Sequence, residues 1–171
     1  MTAAGIILAL VTAQRGLELV LARRNTKALM ARGAFEIAPG HYPLLVVLHA
    51  SWLISLWVFG HDQPVDTIAL AAYLALQALR VWVMATLGSR WTTRIIMLPG
   101  APLVTSGPYR FLSHPNYAVV IGEMAVLPLV LHLFTIAILF TILNALVLFI
   151  RIRAENRGLA PSRTLGEEAA P

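Results

Sequence analysis

Five apolar segments, each close to the length that crosses a bilayer, take up most of this 171-residue chain. They cover residues 4–22, 42–59, 65–87, 117–133 and 134–150, and a membrane-spanning helix needs about 20 such residues. Charged residues make up 12% of the chain, against about 25% in an average soluble domain. We therefore predict an all-α integral membrane bundle of about five transmembrane helices. It forms one domain over residues 1–160, and residues 161–171 form a disordered tail.

The segments between these runs carry turn and breaker signals. A basic stretch at residues 23–27 follows the first run, and Gly60 to Pro64 form a turn before the third. Residues 88–116 form a long polar connection, in which we expect part of 91–98 to be extended and residues 99–102 to break any regular structure. We expect Pro128 to kink the fourth helix. The fifth helix is expected to continue past the lipid to about residue 159.

Basic residues are distributed unequally over the two ends of the predicted bundle. Eleven of the 13 Lys and Arg residues follow the first, third or fifth apolar run, and the opposite loops carry none. The positive-inside rule places that basic end in the cytoplasm, with the N-terminus outside. We therefore attribute the net charge of +5 to membrane orientation and expect no nucleic-acid partner. We expect a bacterial inner-membrane location.

The fifth helix carries polar residues on one face. Asn144, Leu148, Arg151 and Glu155 follow at helical spacing. A guanidinium at the helix end can hold an acidic oxygen of a ligand through a forked hydrogen bond, and a carboxylate can hold an amino group. An ion pair that anchors the end of the helix explains the same spacing.

Two more spans contain polar residues. Gln77 and Arg80 share a face of the third, and Glu123 lies in the fourth. Charged residues within spans usually face a cavity or the bundle interior, so we predict that Gln77, Arg80 and Asn144 bind substrate. Snorkelling of Arg80 to the interface and a helix-joining hydrogen bond from Gln77 are the simpler alternatives. The sequence leaves open whether Glu123 is a site residue or pairs with Arg80 or Arg15.

The connection before the fourth run is polar and aromatic. His114 precedes Pro115, and proline suits the first turn of a helix whose free amides can receive an anionic group. A lone loop histidine is more often ordinary polar surface. His41, His49 and His132 show no metal-ligand spacing, so no metal is predicted. No glycine-rich loop follows a strand, which excludes a Rossmann-type nucleotide site.

At these segments the chain resembles the isoprenylcysteine carboxyl methyltransferase family of integral membrane enzymes. The resemblance covers roughly residues 77–159. The matching motifs are Gly107-Pro108-Tyr109-Arg110, His114-Pro115-Asn116-Tyr117, and Arg151 with Glu155. Residues 90–94, followed by Leu98-Pro99-Gly100, are most similar to a bacterial branch that is linked to the synthesis of alkylpyrones and alkylresorcinols.

The resemblance implies an S-adenosylmethionine cofactor in a pocket on the cytoplasmic side and a lipophilic acceptor that arrives from the membrane lipid. It implies that Arg151 and Glu155 act at the reacting centre. The implied cofactor-binding residues are Pro108, Tyr109, His114, Asn116, Tyr117 and Glu155. The acceptor oxygen is a carboxylate, as in a prenylcysteine, or the enol or phenol of an alkylpyrone-type molecule. For a phenol, Glu155 is the expected base.

Two other functions fit parts of the sequence. A sterol-type membrane reductase that uses NADPH carries a related His-Pro-x-Tyr segment, but it tends to have a glutamate where this chain has Val119. A small transporter or scaffold without enzymatic activity would more often show a mid-span carboxylate and repeat symmetry. Only Glu123 fits that pattern.

Overall fold

The chain folds into a bundle of five α-helices in a computed structural model, which describes the backbone of residues 2–167 and the side chains of residues 2–153 except position 41. The helices are α1 (Ala3–Met30), α2 (Tyr42–Gly60), α3 (Thr67–Leu87), α4 (Pro115–Val130) and α5 (Phe134–Glu167). Two short strands, β1 (Phe35–Glu36) and β2 (Ile96–Met97), form an antiparallel ribbon at one end. The predicted all-α bundle is confirmed.

Four helical stretches of the described chain are long and apolar enough to cross a membrane: Ala3–Met30, Tyr42–Gly60, Thr67–Arg90 and Phe134–Arg153. Their outer faces keep large apolar side chains exposed, among them Val47, Leu74 and Ile138. Such a surface is stable in lipid and costly in water. The chain is therefore an integral membrane protein.

Helix α4 is shorter than the other four and lies between α3 and α5. It has 16 residues, which corresponds to a length of about 24 Å. It still reaches the far end of the bundle, because the carbonyl of Val130 accepts a hydrogen bond of 2.9 Å from the N–H of Asp66 in the α2–α3 connection. The predicted segment 117–133 is therefore shifted. The helix begins at Pro115, and it ends at Val130, just before the turn in which His132 has a positive φ of 54°.

Helix α1 continues through the basic segment that the sequence assigned to a loop. It was predicted to end at residue 22, yet it runs to Met30. Arginine and lysine are good helix formers, and the first glycine after residue 22 is Gly33, whose φ of 87° fits a helix stop. The extension brings the buried amide of Asn25 to the loop after α3, where its Nδ2 donates to the carbonyl of Trp91 at 2.8 Å.

The ribbon joins two connections at the basic end. Phe35 pairs with Met97 and Glu36 with Ile96, so only two residues of the expected extended stretch form a strand. Arg94 Nη1 donates to both carboxylate oxygens of Glu36, at 2.9 and 2.8 Å. Its guanidinium carbon lies 4.0 Å from the centre of the Tyr42 ring. These contacts fix residues 91–97 against the start of α2.

Helix α5 extends beyond its predicted end near residue 159. Its backbone is helical to Glu167, including residues 161–167 of the predicted disordered tail. Gly158, Pro161 and Gly166 are poor helix formers, so propensity does not explain the extension. Residues 168–171 lie outside the described residues.

Candidate functional site

A cavity of about 300 Å³ opens within the bundle near its basic end. Helices α1 and α2 form one wall, where Leu19 and Val46 are 40% and 45% exposed on the outer surface of the bundle. Arg80 of α3, residues 91–93, the first turns of α4, and Leu148 and Arg151 of α5 line the rest of the cavity. The cavity therefore combines a wall that adjoins the lipid-facing surface with polar groups from the connections.

The two segments singled out in the sequence meet at this cavity. Arg151 is 5% exposed, and its Nε–H donates to the hydroxyl of Tyr117 at 3.0 Å. The His114 ring stacks on the Tyr117 ring, with centroids 5.2 Å apart and an angle of 17° between the planes. Tyr117 and Arg151 line the cavity directly, whereas His114 supports Tyr117 from outside the lining.

Asn116 offers an acceptor group at the same place. It lines the cavity, and its Oδ1 is buried without a hydrogen-bond partner among the described residues. A buried acceptor without a donor is costly unless a ligand or water supplies one. This oxygen is therefore suited to bind an amino or hydroxyl group of a ligand.

A second polar group lies within the helices. The buried polar cluster consists of Gln14, Arg15, Glu18, Gln77, Arg80 and Glu123. At its centre, Glu123 is 2% exposed and accepts two hydrogen bonds from Arg80, at 2.7 and 2.6 Å. It also accepts one from Arg15 at 2.9 Å and one from Gln77 at 2.7 Å. Glu123 thus pairs with both arginines between which the sequence left a choice.

Glu18 is the second carboxylate of the buried polar cluster. Its oxygens accept from Arg15 and Gln14, both at 2.8 Å, and lie 3.3 Å from Nη1 of Arg80. The cluster therefore joins α1, α3 and α4 with two positive and two negative charges. Such pairing is what allows ionised groups to remain inside a membrane-spanning bundle. Snorkelling does not describe Arg80, because this side chain is 5% exposed.

The remaining predicted site residues with described side chains lie away from the cavity lining. Pro108 and Tyr109 belong to a short 3-10 helix (Gly107–Arg110) that packs against α3. Gln77 does not line the cavity. Its side-chain amide forms hydrogen bonds with Glu123 and Gln14. Asn144 is fully buried, and neither of its amide atoms has a partner in the described chain. The Glu155 side chain lies outside the described residues.

Several lining residues were missed by the sequence reasoning. They are Glu18, Tyr42, His49, Trp91, Thr92 and Thr93. Only the 91–93 group carried a signal, because these residues belong to the motif of the resemblance. His49 had been set aside for lack of metal spacing, and among the described residues no group of His, Asp and Glu is placed to hold a metal ion.

Comparison with known proteins gives two relatives that match along most of this chain. An uncharacterized protein, YpbQ, of Bacillus subtilis (strain 168) is 37% identical over 159 residues, covering 90% of this chain and 95% of that protein. An uncharacterized protein of Haemophilus influenzae is 26% identical over 161 residues, covering 91% and 94%. No solved structure matches the chain.

The family comparison covers both segments that meet at the cavity. The model of the isoprenylcysteine carboxyl methyltransferase family matches residues 68–161, which is more than half of the chain. This range includes Arg80 and Glu123 of the buried polar cluster as well as Tyr117 and Arg151. The chain therefore belongs to the isoprenylcysteine carboxyl methyltransferase family of membrane enzymes.

Proposed function

We propose that this membrane methyltransferase uses S-adenosylmethionine to methylate an acidic oxygen of a lipophilic acceptor. The observation that carries the proposal is the buried Arg151–Tyr117 contact of 3.0 Å at a cavity whose other wall reaches the lipid-facing surface of α1 and α2. A methyl donor and a lipid acceptor can meet in such a cavity, which aligns them and excludes water.

Asn116, Tyr117 and His114 are the proposed cofactor residues. The orphaned Oδ1 of Asn116 fits an amino or hydroxyl donor, and the stacked His114–Tyr117 pair supports one wall of the same region. Pro108, Tyr109 and Glu155 are included in the proposal because of the family motif. The cofactor would supply a methyl group already activated by a sulfonium, so the protein needs mainly to orient the acceptor.

Arg151 is proposed to orient the acceptor oxygen. A guanidinium matches a carboxylate or an enolate through planar, paired N–H donors. Arg80 lines the cavity with a second guanidinium, and Gln77 binds the same Glu123 carboxylate as Arg80. Asn144 lies about two turns before Arg151 on α5. We propose that these residues define the acceptor side. The acceptor is of the alkylpyrone or the isoprenylcysteine type.

Calorimetry of the detergent-purified protein tests the cofactor. We expect S-adenosylhomocysteine to bind and NADPH to give no heat. Binding of NADPH alone would favour the sterol-type reductase, and binding of neither would favour a transporter or scaffold. Methyl transfer to a long-chain alkylpyrone and to a prenylcysteine analogue then identifies the acceptor type.

His114→Ala should weaken S-adenosylhomocysteine binding because Tyr117 loses its stacked neighbour. The loss of such an aromatic contact is worth about 1 kcal/mol, or roughly a fivefold change in Kd. His61→Ala is the matched control, since His61 lies at the opposite end of α2. Unchanged S-adenosylhomocysteine affinity in a well-folded His114→Ala protein would mean that the cofactor binds elsewhere.

A further inference from the structure

His49 is a titratable group at the cavity for which the proposed function has no role so far. It lies on α2 about two turns after Tyr42, and its half-buried ring lines the cavity that Arg80 and Arg151 also line. Histidine is a frequent proton acceptor in catalysis because its neutral ring carries a basic nitrogen near neutral pH. The placement of this ring therefore raises the question of which nitrogen faces the cavity.

A hydrogen bond to the backbone of α2 determines which nitrogen of the neutral His49 ring carries the proton. Nδ1 lies 2.9 Å from the carbonyl oxygen of Leu45. A carbonyl oxygen only accepts hydrogen bonds, so Nδ1 must carry the proton and donate. Nε2 is then the basic nitrogen of the neutral ring. It has no hydrogen-bond partner among the side chains that the structure describes.

Charged groups from four helices surround this ring. Among the described residues they are Arg15 and Glu18 from α1, Arg80 from α3, Glu123 from α4 and Arg151 from α5. Three of these described groups are positive and two are negative, which leaves an excess of one positive charge among them. That excess stabilises an oxygen that becomes anionic in the cavity.

We propose that His49 Nε2 is the general base that removes the proton from a neutral hydroxyl acceptor, so that the enzyme methylates a long-chain phenol. This inference rests on the proposed function. As the new oxygen–carbon bond forms, the carbon–sulfur bond of the sulfonium donor breaks and its electron pair stays on sulfur. The hydroxyl proton moves to Nε2, and solvent takes it up after the product leaves.

The acceptor class follows from the need for a base. A carboxylate is already ionised near neutral pH and has no proton to lose. Methylation of a prenylcysteine would therefore not need a general base. A phenol with a pKa near 10 does need help. Glu155 is the base expected from the sequence, and its side chain lies outside the described residues; among the described residues, His49 is the base that we propose.

The test compares two acceptors and three proteins. His49→Gln keeps an N–H donor for the Leu45 carbonyl but has no basic nitrogen. His61→Gln is the matched control, because His61 makes the same Nδ1 contact of 2.9 Å with the carbonyl four residues earlier, while its Nε2 lies 2.8 Å from Asp62. Each protein receives a long-chain alkylphenol and a fatty carboxylate of the same chain length. S-adenosylhomocysteine affinity is measured beside turnover.

We expect His49→Gln to lose about 10²-fold or more in kcat/KM for the alkylphenol, which is the usual contribution of a general base. In the wild type we expect kcat/KM to rise with pH and then level off as the base loses its proton. This pH dependence should be absent from His49→Gln. Cofactor affinity and His61→Gln should match the wild type. Near-normal phenol turnover in His49→Gln, or equal losses for both acceptors, would overturn the proposal.

A second measurement needs neither cofactor nor turnover. A long-chain nitrophenol absorbs differently as phenol and as phenolate, so its bound form can be read from the spectrum. At a pH below the pKa of the free nitrophenol, wild type should bind the phenolate, with the proton held on His49, and His49→Gln should bind the neutral form. Identical spectra would contradict the role of His49. If wild type failed to bind S-adenosylhomocysteine yet showed this difference, the proposed methyl transfer would fail and the proton-accepting role of His49 would stand.

Discussion

Arg151 has the contacts of a ligand-orienting residue within α5, just after the apolar part of that helix. Its guanidinium is buried, donates to Tyr117 at 3.0 Å and lies 5.6 Å from the centre of that ring. A residue that only anchors the helix at the membrane interface would need a positive charge and a side chain long enough to reach the interface. The orienting role requires the planar guanidinium and the anchoring role does not, so a substitution by lysine distinguishes the two.

Arg151→Lys should fail nearly as badly as Arg151→Ala. Lysine keeps the charge but lacks the planar fork, and a small misplacement of the acceptor costs about 10²-fold in turnover. Methyl transfer and S-adenosylhomocysteine affinity are measured together, and affinity should change much less. Arg153→Lys is the control, because Arg153 is exposed and packs on Phe149. Near-normal turnover of the Arg151→Lys protein would assign Arg151 to anchoring.

Glu123→Gln should destabilise the bundle strongly. The substitution leaves Arg15 and Arg80 with Glu18 as their single negative partner in the buried polar cluster, and breaking a buried pair in this way costs about 3–5 kcal/mol. The unfolding temperature in detergent measures the loss. Combining Glu123→Gln with Arg15→Met should recover part of it, because the cluster is neutral again. Equal stability of Glu123→Gln and wild type would show that the cluster is solvated.

At the scale of elements, α3 and α4 approach closely at Gly122. A Cβ atom at this position would lie 2.8 Å from Cδ2 and 3.0 Å from Cδ1 of Leu76, so the Leu76 side chain would have to shift. The glycine therefore allows α4, the shortest helix of the bundle, to pack directly on α3. This approach also brings Glu123 next to Gln77 and Arg80.

Gly122→Ala should lower the unfolding temperature because Leu76 must move. Overpacking costs about 1–3 kcal/mol, which exceeds the gain of about 0.5–1 kcal/mol from replacing a helical glycine. Gly16→Ala is the matched control, since no atom lies within 4 Å of its added Cβ, and it should stabilise slightly. Adding Leu76→Ala to Gly122→Ala should cost less than the two separate changes together. Additive costs would mean that the two residues do not touch.

On the scale of the whole molecule, charge asymmetry predicts the orientation in the membrane. A reporter fused after Arg163 should lie in the cytoplasm, and one inserted in the 60–64 turn should lie outside. Activity of alkaline phosphatase and of green fluorescent protein at each site measures this. If both positions report the same side, α3, α4 and α5 do not all cross the membrane.

The local sequence determined the helices and most of their ends. Apolar runs of sufficient length must form helices in lipid, because every backbone N–H and C=O needs a partner there. Residues 42–59 were predicted as a span and α2 is Tyr42–Gly60. The same reasoning placed Arg151 on the fifth helix, directly after its apolar run. It failed at the end of α1, where charged residues were interpreted as a loop although they favour helix.

The tertiary structure alone decided which polar side chains meet. Glu123 contacts Arg15, which is 108 positions away in the chain, and Arg80, which is 43 positions away. These contacts depend on how far each helix is rotated and shifted along its axis, and no local pattern encodes that. The same holds for His49, which shares a cavity with Arg80 and Arg151 only when α2, α3 and α5 pack together. A sequence specifies which groups must be paired inside a membrane, and the packing of the helices selects the partners.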